Sequence, residues 1–394
     1  MPASELPFSA AEFSRRLEKV RAAMREKDID ILFVEDPSNM AWLTGYDGWS
    51  FYTPQVMLVD LHDGPFWIGR LMDAGAAKFT TYLSESQIVP YPETLVQRTD
   101  THPMAHVADW MADRGFAAAR IGYESDSYFL SPRAMATLRA GLPDADFVDA
   151  DLLVNWQRLV KSPAELEVMC RAARIAEAAM RTAWDGARPG VRQCDLMADV
   201  VATQIRGTPD QGGDMPAIHP LILAGEAATT AHPLWTDAPL EPGQTIAFEL
   251  GACVRRYNVG LARTVHLGTP PDNLQRTAAA VEEGMAAVMD SLKAGVIAGD
   301  VHAAWQRVLD RHGLEKPSRI GYSIGTGYAP DWGERTLSFR PGETTSVPED
   351  AVVHVILGMW MDDWGMELSE TLHIRGGDCV RMCDFPQHVH VVPA

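Results

Sequence analysis

A single acid stands inside the apolar run Ala247-Phe248-Glu249-Leu250-Gly251. An ionised carboxylate is costly in such surroundings unless a cation neutralises it. Two readings of Glu249 follow. Either Arg255, Arg256 or Arg263 forms a salt bridge with it, or it is a nucleophile or general base whose counter-charge arrives with a substrate. His232, ahead of Pro233, is the candidate acid/base, because imidazole both takes and returns a proton near neutral pH; the plain alternative is a loop histidine. Tyr322 and His354 come next, as hydrogen-bonding groups able to hold a water or a tetrahedral intermediate, or to support groups that do. His219, His232 and His354 are the residues from which a mononuclear metal site could be improvised, although histidines on separate strands are more often core or catalytic groups.

Positioning these groups takes a scaffold, and the 394 residues, 46% hydrophobic and 22% charged, supply enough apolar material for two cores. The apolar positions Phe13, Leu17, Val20 and Met24 predict a helix over 10–27, followed by a strand at 31–34. Further strands are expected at 55–61, 65–68 and 120–123, with a helix at 132–140, so the first ~150 residues read as a mixed α/β layer. Ser162, Pro163 and Glu165 form a helix start, predicting a long amphipathic helix to about Trp184 and a second over 193–205. Strands are then expected at 218–223, 245–253 and 261–266, helices at 272–292 and 298–312, and alternating strands and loops to the end. No tandem repeat or low-complexity tract is apparent.

The balance of 34 basic against 53 acidic residues gives a net charge of −19, which repels phosphate backbones and anionic membrane surfaces; neither nucleic acid nor membrane is expected as a partner. No stretch offers ~18 uncharged apolar residues, and 1–18 reads as a polar start running into a helix without a basic leader, so a soluble, cytoplasmic protein is expected. The five cysteines (Cys170, Cys194, Cys253, Cys379, Cys383) are scattered and odd in number, which predicts reduced, buried thiols.

The helix start at 161–166, the pair Ala231-His232, the strand around Glu249 and the run 262–265 resemble, in order and spacing, the catalytic domain of the creatinase and aminopeptidase P (pita-bread) superfamily, and 39–46 resembles its N-terminal domain. Four further tracts, 36–52, 212–218, 330–336 and 363–370, resemble the ectoine hydrolases of that superfamily, although Asn258, Val259 and Gly260 depart from the histidine-containing version. The resemblance implies an α/β (α+β) chain with a creatinase-like N-terminal domain over 1–155 and a pita-bread catalytic domain over 156–394. It implies a homodimer whose N-terminal domains cover each other's sites at 47–52 and 102–104, and gives His232 the acid/base duty.

The peptidases of the superfamily hold two metal ions with two aspartates, a histidine and two glutamates. The corresponding positions here are Glu249, Gly260, Tyr322, a place near Ile356, and either Ser369 or Glu370, so at most two ligands survive and no metal cofactor is expected. The implied activity is metal-independent hydrolysis of the cyclic amidine ring of ectoine, or a close zwitterionic analogue, to N-acetyl-L-2,4-diaminobutyrate. The amidinium carbon is already electron-poor and needs no Lewis acid. Alternatives are an Xaa-Pro metallopeptidase, a creatinase-like enzyme acting on another small C–N substrate, and a silent binding protein. For the amidinium edge the candidates are Glu370 and Glu367, only one of which strand alternation lets face the site. Arg70 or Arg335 is expected to take the substrate carboxylate, with Asp214 also in the binding set. The aromatics Trp42, Tyr46, Trp49, Phe51, Tyr52, Trp332, Trp360 and Trp364 either stack on the cation or pack the core and a dimer contact.

Overall fold

The repeat at Phe13, Leu17, Val20 and Met24 forms the helix Ala10–Glu26, and Ser9 caps it by accepting from the Glu12 N–H. In this computed structural model, which describes residues 6–393, that helix belongs to the first of two compact units, 1–158 and 159–394. The first five residues of the polar start expected at 1–18 lie outside the described residues.

The first unit is built on β1 (Ile31–Val34), β2 (Val56–Asp60), β3 (Phe66–Arg70), β4 (Ile88–Tyr91), β5 (Arg120–Tyr123) and β6 (Asp146–Asp149). They form one sheet in the order β4-β3-β2-β1-β5-β6, with β1–β2 and β2–β3 antiparallel and the rest parallel. Separate apolar clusters cover its two faces, which is why β1 and β2 are apolar almost throughout. Two helices that hydrophobic periodicity does not suggest, Pro37–Thr44 and Pro103–Asp113, open on Asp36-Pro37 and His102-Pro103, where the first side chain caps and proline takes the first position.

In the second unit, Ser162 and Glu165 make the reciprocal capping box, and the helix runs Pro163–Gly186. The sheet comprises β7 (Leu221–Ala224), β8 (Thr245–Val254), β9 (Tyr257–Leu267), β10 (Gly321–Ile324), β11 (Gly333–Ser338), β12 (Val352–Ile356), β15 (Ser369–Arg375), β16 (Asp378–Arg381) and β17 (His390–Val392); β13 (Met359–Trp360) and β14 (Gly365–Met366) pair separately. The main order is β11-β10-β12-β15-β9-β8-β7, with β16 on β15 and β17 parallel to β9. The helices Asp272–Ser291 and Ala298–His312 pack on each other and share a core with β12 and β15.

Two strands start three or four residues away from the expected place. β7 starts at Leu221, because Pro220 has no N–H for the ladder. β9 starts at Tyr257, because β8 and β9 are joined by the two-residue turn Arg255-Arg256, with φ of 50° and 67°. Arginine is not a usual residue for such a turn, so the sequence hid the hairpin. Of the cysteines, Cys253, Cys379 and Cys383 are buried, but Cys170 is exposed and Cys194 half-buried, against the expectation for all five. Among the described residues no helix is long and apolar enough to cross a membrane.

Candidate active site

Glu249 pairs with Leu221 on one side and Ala262 on the other; Ala262 pairs with Ser369, and Ser369 with Ile356. Directly paired residues point to one face of a sheet, so these five side chains form a row. The adjacent row on that face holds Gly251, Gly260, Thr371, His354 and Tyr322, with the Thr371 hydroxyl donating to the Gly260 carbonyl at 2.8 Å. Strand alternation therefore settles the ambiguity in β15: Ser369 faces the site, and its hydroxyl lies 2.7 Å from His354 Nε2. Glu370 points to the other face, where the buried Arg263 guanidinium donates to it at 2.6 Å and Gln387 at 2.8 Å. The expectation that Glu370 meets the amidinium at the site is thus corrected, since the fixed Arg263 cation already neutralises it.

Two glycines shape this face. A Cβ at Gly251 would meet the Trp332 indole at 2.7 Å, and one at Gly260 would come within 3.0 Å of the His354 ring. Trp332 is fully buried, and its Nε1–H donates to the Tyr322 hydroxyl at 2.9 Å. The indole and imidazole fill the space into which an aspartate at 260 would reach. The five positions implied for a dinuclear cage thus hold one carboxylate, Glu249, beside Gly260, Tyr322, Ile356 and Ser369. Among the described residues no group of three or more His, Cys, Asp or Glu side chains converges to hold a metal ion. These residues do not fit a pair of divalent cations.

Burial governs the electrostatics. Glu249 is 7% exposed, no donor contacts its carboxylate among the described residues, and desolvation pushes its pKa up to about 7. Glu367 is driven well above the usual carboxylate range, first by burial and then by the nearby Glu249 charge. Trp360 Nε1–H donates to its Oε1 at 2.8 Å, while its Oε2 is buried without a partner. Tyr322 is held as the neutral phenol, by burial first and by Glu249 second. His354 is pushed down to about 3 by burial alone and is a neutral imidazole. Lys316, which the sequence reading passed over, is 6% exposed and sits 4.4 Å from the Trp360 ring centre, with Nζ donating to Ser318 Oγ at 2.7 Å. Burial lowers its pKa to about 8 against the pull of Glu367.

The other expected residues lie on several further elements. His232 is exposed in the loop after Gly225–Thr229, and His219 is exposed with its ring edge-on to Trp235. Asp214 anchors the β8–β9 turn: its N–H donates to the Cys253 carbonyl at 2.7 Å, and its carboxylate accepts from the Arg256 N–H at 3.4 Å. Arg335 lies within β11 with φ of 60°, not in a loop. Asn258 accepts from the Ala217 N–H at 2.9 Å and donates to the Arg256 carbonyl at 3.0 Å, tying a loop to the hairpin. In the first unit, Arg70 is already paired with Glu93 at 2.8 Å, Trp42 and Tyr46 are core residues, and Trp49 and Tyr52 are 54% and 69% exposed. The cation over Trp360 is the protein's own Lys316, and Trp364 packs against the second unit's core.

An α/β unit followed by a largely antiparallel sheet with buried acids on one face is the architecture of a creatinase-type hydrolase. The chain belongs to metallopeptidase family M24, matched over residues 167–376, preceded by a creatinase/prolidase N-terminal domain over residues 16–160. It is 39% identical over 393 residues, 98% of each chain, to a protein of Halomonas elongata named ectoine hydrolase. It is also 39% identical, over 93% of this chain and 94% of the relative, to an uncharacterized hydrolase/peptidase of Sinorhizobium fredii. Among solved structures, a prolidase from Thermococcus sibiricus superposes with a TM-score of 0.85 at 15% identity, covering 98% of this chain and 100% of that one.

Proposed function

We propose that this hydrolase opens the ring of ectoine, or of a closely similar carboxylate-bearing cyclic amidine, without a bound metal. The observation that carries the reading is Glu249: a buried acid lacking a fixed counter-ion, beside a second buried acid, Glu367, on the face where the cage positions have lost their other ligands. A bound amidinium would neutralise both. The relative named ectoine hydrolase, similar over nearly the whole chain, supports the substrate class.

In this reading the amidinium docks with its N–H edge on Glu367 Oε2 and its electron-poor carbon against Glu249. Oxygen adds to that carbon, directly from the Glu249 carboxylate or from a water it deprotonates, and the C=N electron pair moves onto nitrogen. The C–N bond to the ring then breaks, and the departing nitrogen takes a proton. Where the attacking oxygen is Glu249's own, water then adds to the enzyme-bound carbon and the C–O bond to Glu249 breaks, freeing the carboxylate; on either branch, net addition of one water gives the N-acetyl-diaminobutyrate. The Tyr322 hydroxyl, oriented by Trp332 and kept protonated, steadies the tetrahedral centre, and His232 in the loop after Gly225–Thr229 supplies the acid/base step. Lys316, near Glu367, is the basic group for the substrate carboxylate, in place of the Glu93-paired Arg70. A homodimer belongs to the same reading; sedimentation at several concentrations tests it.

The deciding experiment incubates chelator-treated protein with ectoine and follows acetyl and ring-methine signals by NMR. Ring opening that survives EDTA supports the proposal. Turnover that vanishes with EDTA and returns with added manganese, cobalt or zinc, or cleavage of Xaa-Pro dipeptides instead, supports the peptidase reading that the family name and prolidase-like fold favour.

A further inference from the structure

Glu35 closes β1 in the first unit and is 5% exposed, yet its carboxylate has no hydrogen bond or ion pair among the described residues, and Oε2 is fully buried. Nearby Glu124 shows how this unit treats a structural acid: it accepts from Asn39 Nδ2 at 2.9 Å and from the Val154 N–H at 3.2 Å. Glu35 instead lines a cavity of about 150 Å³ with Phe51, Tyr52, Gln55 and Phe129. Gln55 accepts from the Tyr46 hydroxyl at 2.7 Å, but its Nε2 is likewise buried without a partner. Phe51 and Phe129 meet edge to face at 5.5 Å, and Tyr52 is 69% exposed. An unsatisfied buried acid costs free energy unless something supplies donors and charge. Aromatic walls beside a carboxylate are the surroundings in which organic cations bind.

We propose that this pocket is a binding site for a small organic cation bearing N–H groups, an amidinium, guanidinium or primary ammonium, with Glu35 as its counter-ion, Gln55 Nε2 as donor to any acceptor it carries, and Phe51, Tyr52 and Phe129 as its walls. Its lining residues all belong to the first unit, and the proposal does not depend on the reaction assigned to Glu249. Burial holds Glu35 well above the usual carboxylate range, as expected of an acid waiting for a cation. The volume of about 150 Å³ fits a compact ion.

The test is calorimetric titration of the full-length protein with acetamidinium, using tetramethylammonium as a cation without N–H. Glu249→Gln weakens binding at the catalytic face, so the titration is run in that variant to isolate the Glu35 pocket. Glu35→Gln in that background is expected to weaken acetamidinium at least tenfold, Tyr52→Ala several-fold, and tetramethylammonium is expected to bind at least tenfold more weakly. Tyr52 is mostly exposed, so its truncation reads the pocket even where Glu35→Gln perturbs folding. Acetamidinium affinity unchanged by both substitutions, or no saturable binding in the Glu249→Gln protein, overturns the proposal. Failure of the ectoine reading appears separately, as unaltered ectoine in the NMR assay.

Discussion

Four buried glutamates of the second unit fall into two kinds. Glu334 in β11 faces Lys161 at 2.7 Å, and Glu370 in β15 faces Arg263 at 2.6 Å, both pairs sealed from solvent. Glu249 in β8 and Glu367 just before β15 have no such partner among the described residues. A buried acid beside a fixed cation is electrostatically finished, and its job is to hold strands in place. One without a cation is raised in pKa and becomes a receptor for whatever cation enters. Glu367 and Glu370, only three residues apart, differ because Arg263 reaches Glu370 alone.

The comparison breaks most sharply at Glu249. Glu249→Gln is expected to cut kcat/KM for ectoine about a thousand-fold, ~4 kcal/mol, with the melting temperature unchanged or raised, because a costly buried charge is removed. Retention of more than a few per cent of the wild-type rate takes Glu249 out of the chemistry. Arg263→Met should do the reverse: by stranding Glu370 it should cost about 3–5 kcal/mol of stability, seen as a large fall in melting temperature. A near-silent Arg263→Met would mean that pairing does not distinguish the acids.

Tyr322→Phe sharpens the picture at smaller scale. Loss of the phenol that accepts from Trp332 should lower kcat about 10- to 100-fold with little change in KM, whereas a merely structural tyrosine would move stability instead. The pH profile is the mildest test. Glu249, raised to about 7, must be ionised to act, so kcat/KM should rise with pH through about 7. Lys316, lowered to about 8, must stay charged to hold the substrate carboxylate, so kcat/KM should fall above about 8. A bound amidinium favours the Glu249 carboxylate, so the acid limb of kcat should lie below that of kcat/KM. In Lys316→Met the alkaline limb should disappear while the acid limb stays.

Much of the scaffold was legible because its signals are local. Ser162-Pro163 with Glu165 starts a helix whatever surrounds it, and Glu249 stands out because its own neighbours in the chain are apolar. The departure of the cage positions could also be read residue by residue, since Gly260 and Ile356 offer no ligand in any fold. Other facts are relations between distant segments. Lys316 reads as an ordinary surface residue between Glu315 and Pro317, and its burial against Trp360 exists only after the chain has folded. Which of Glu367 and Glu370 meets Glu249 depends on the pairing of Ser369 with Ala262, a register that no local pattern encodes. The sequence by itself determined which residues can carry charge and where helices and strands begin. Only the tertiary structure decided which charges have partners, because neutralisation depends on ångström-scale distances between elements far apart along the chain.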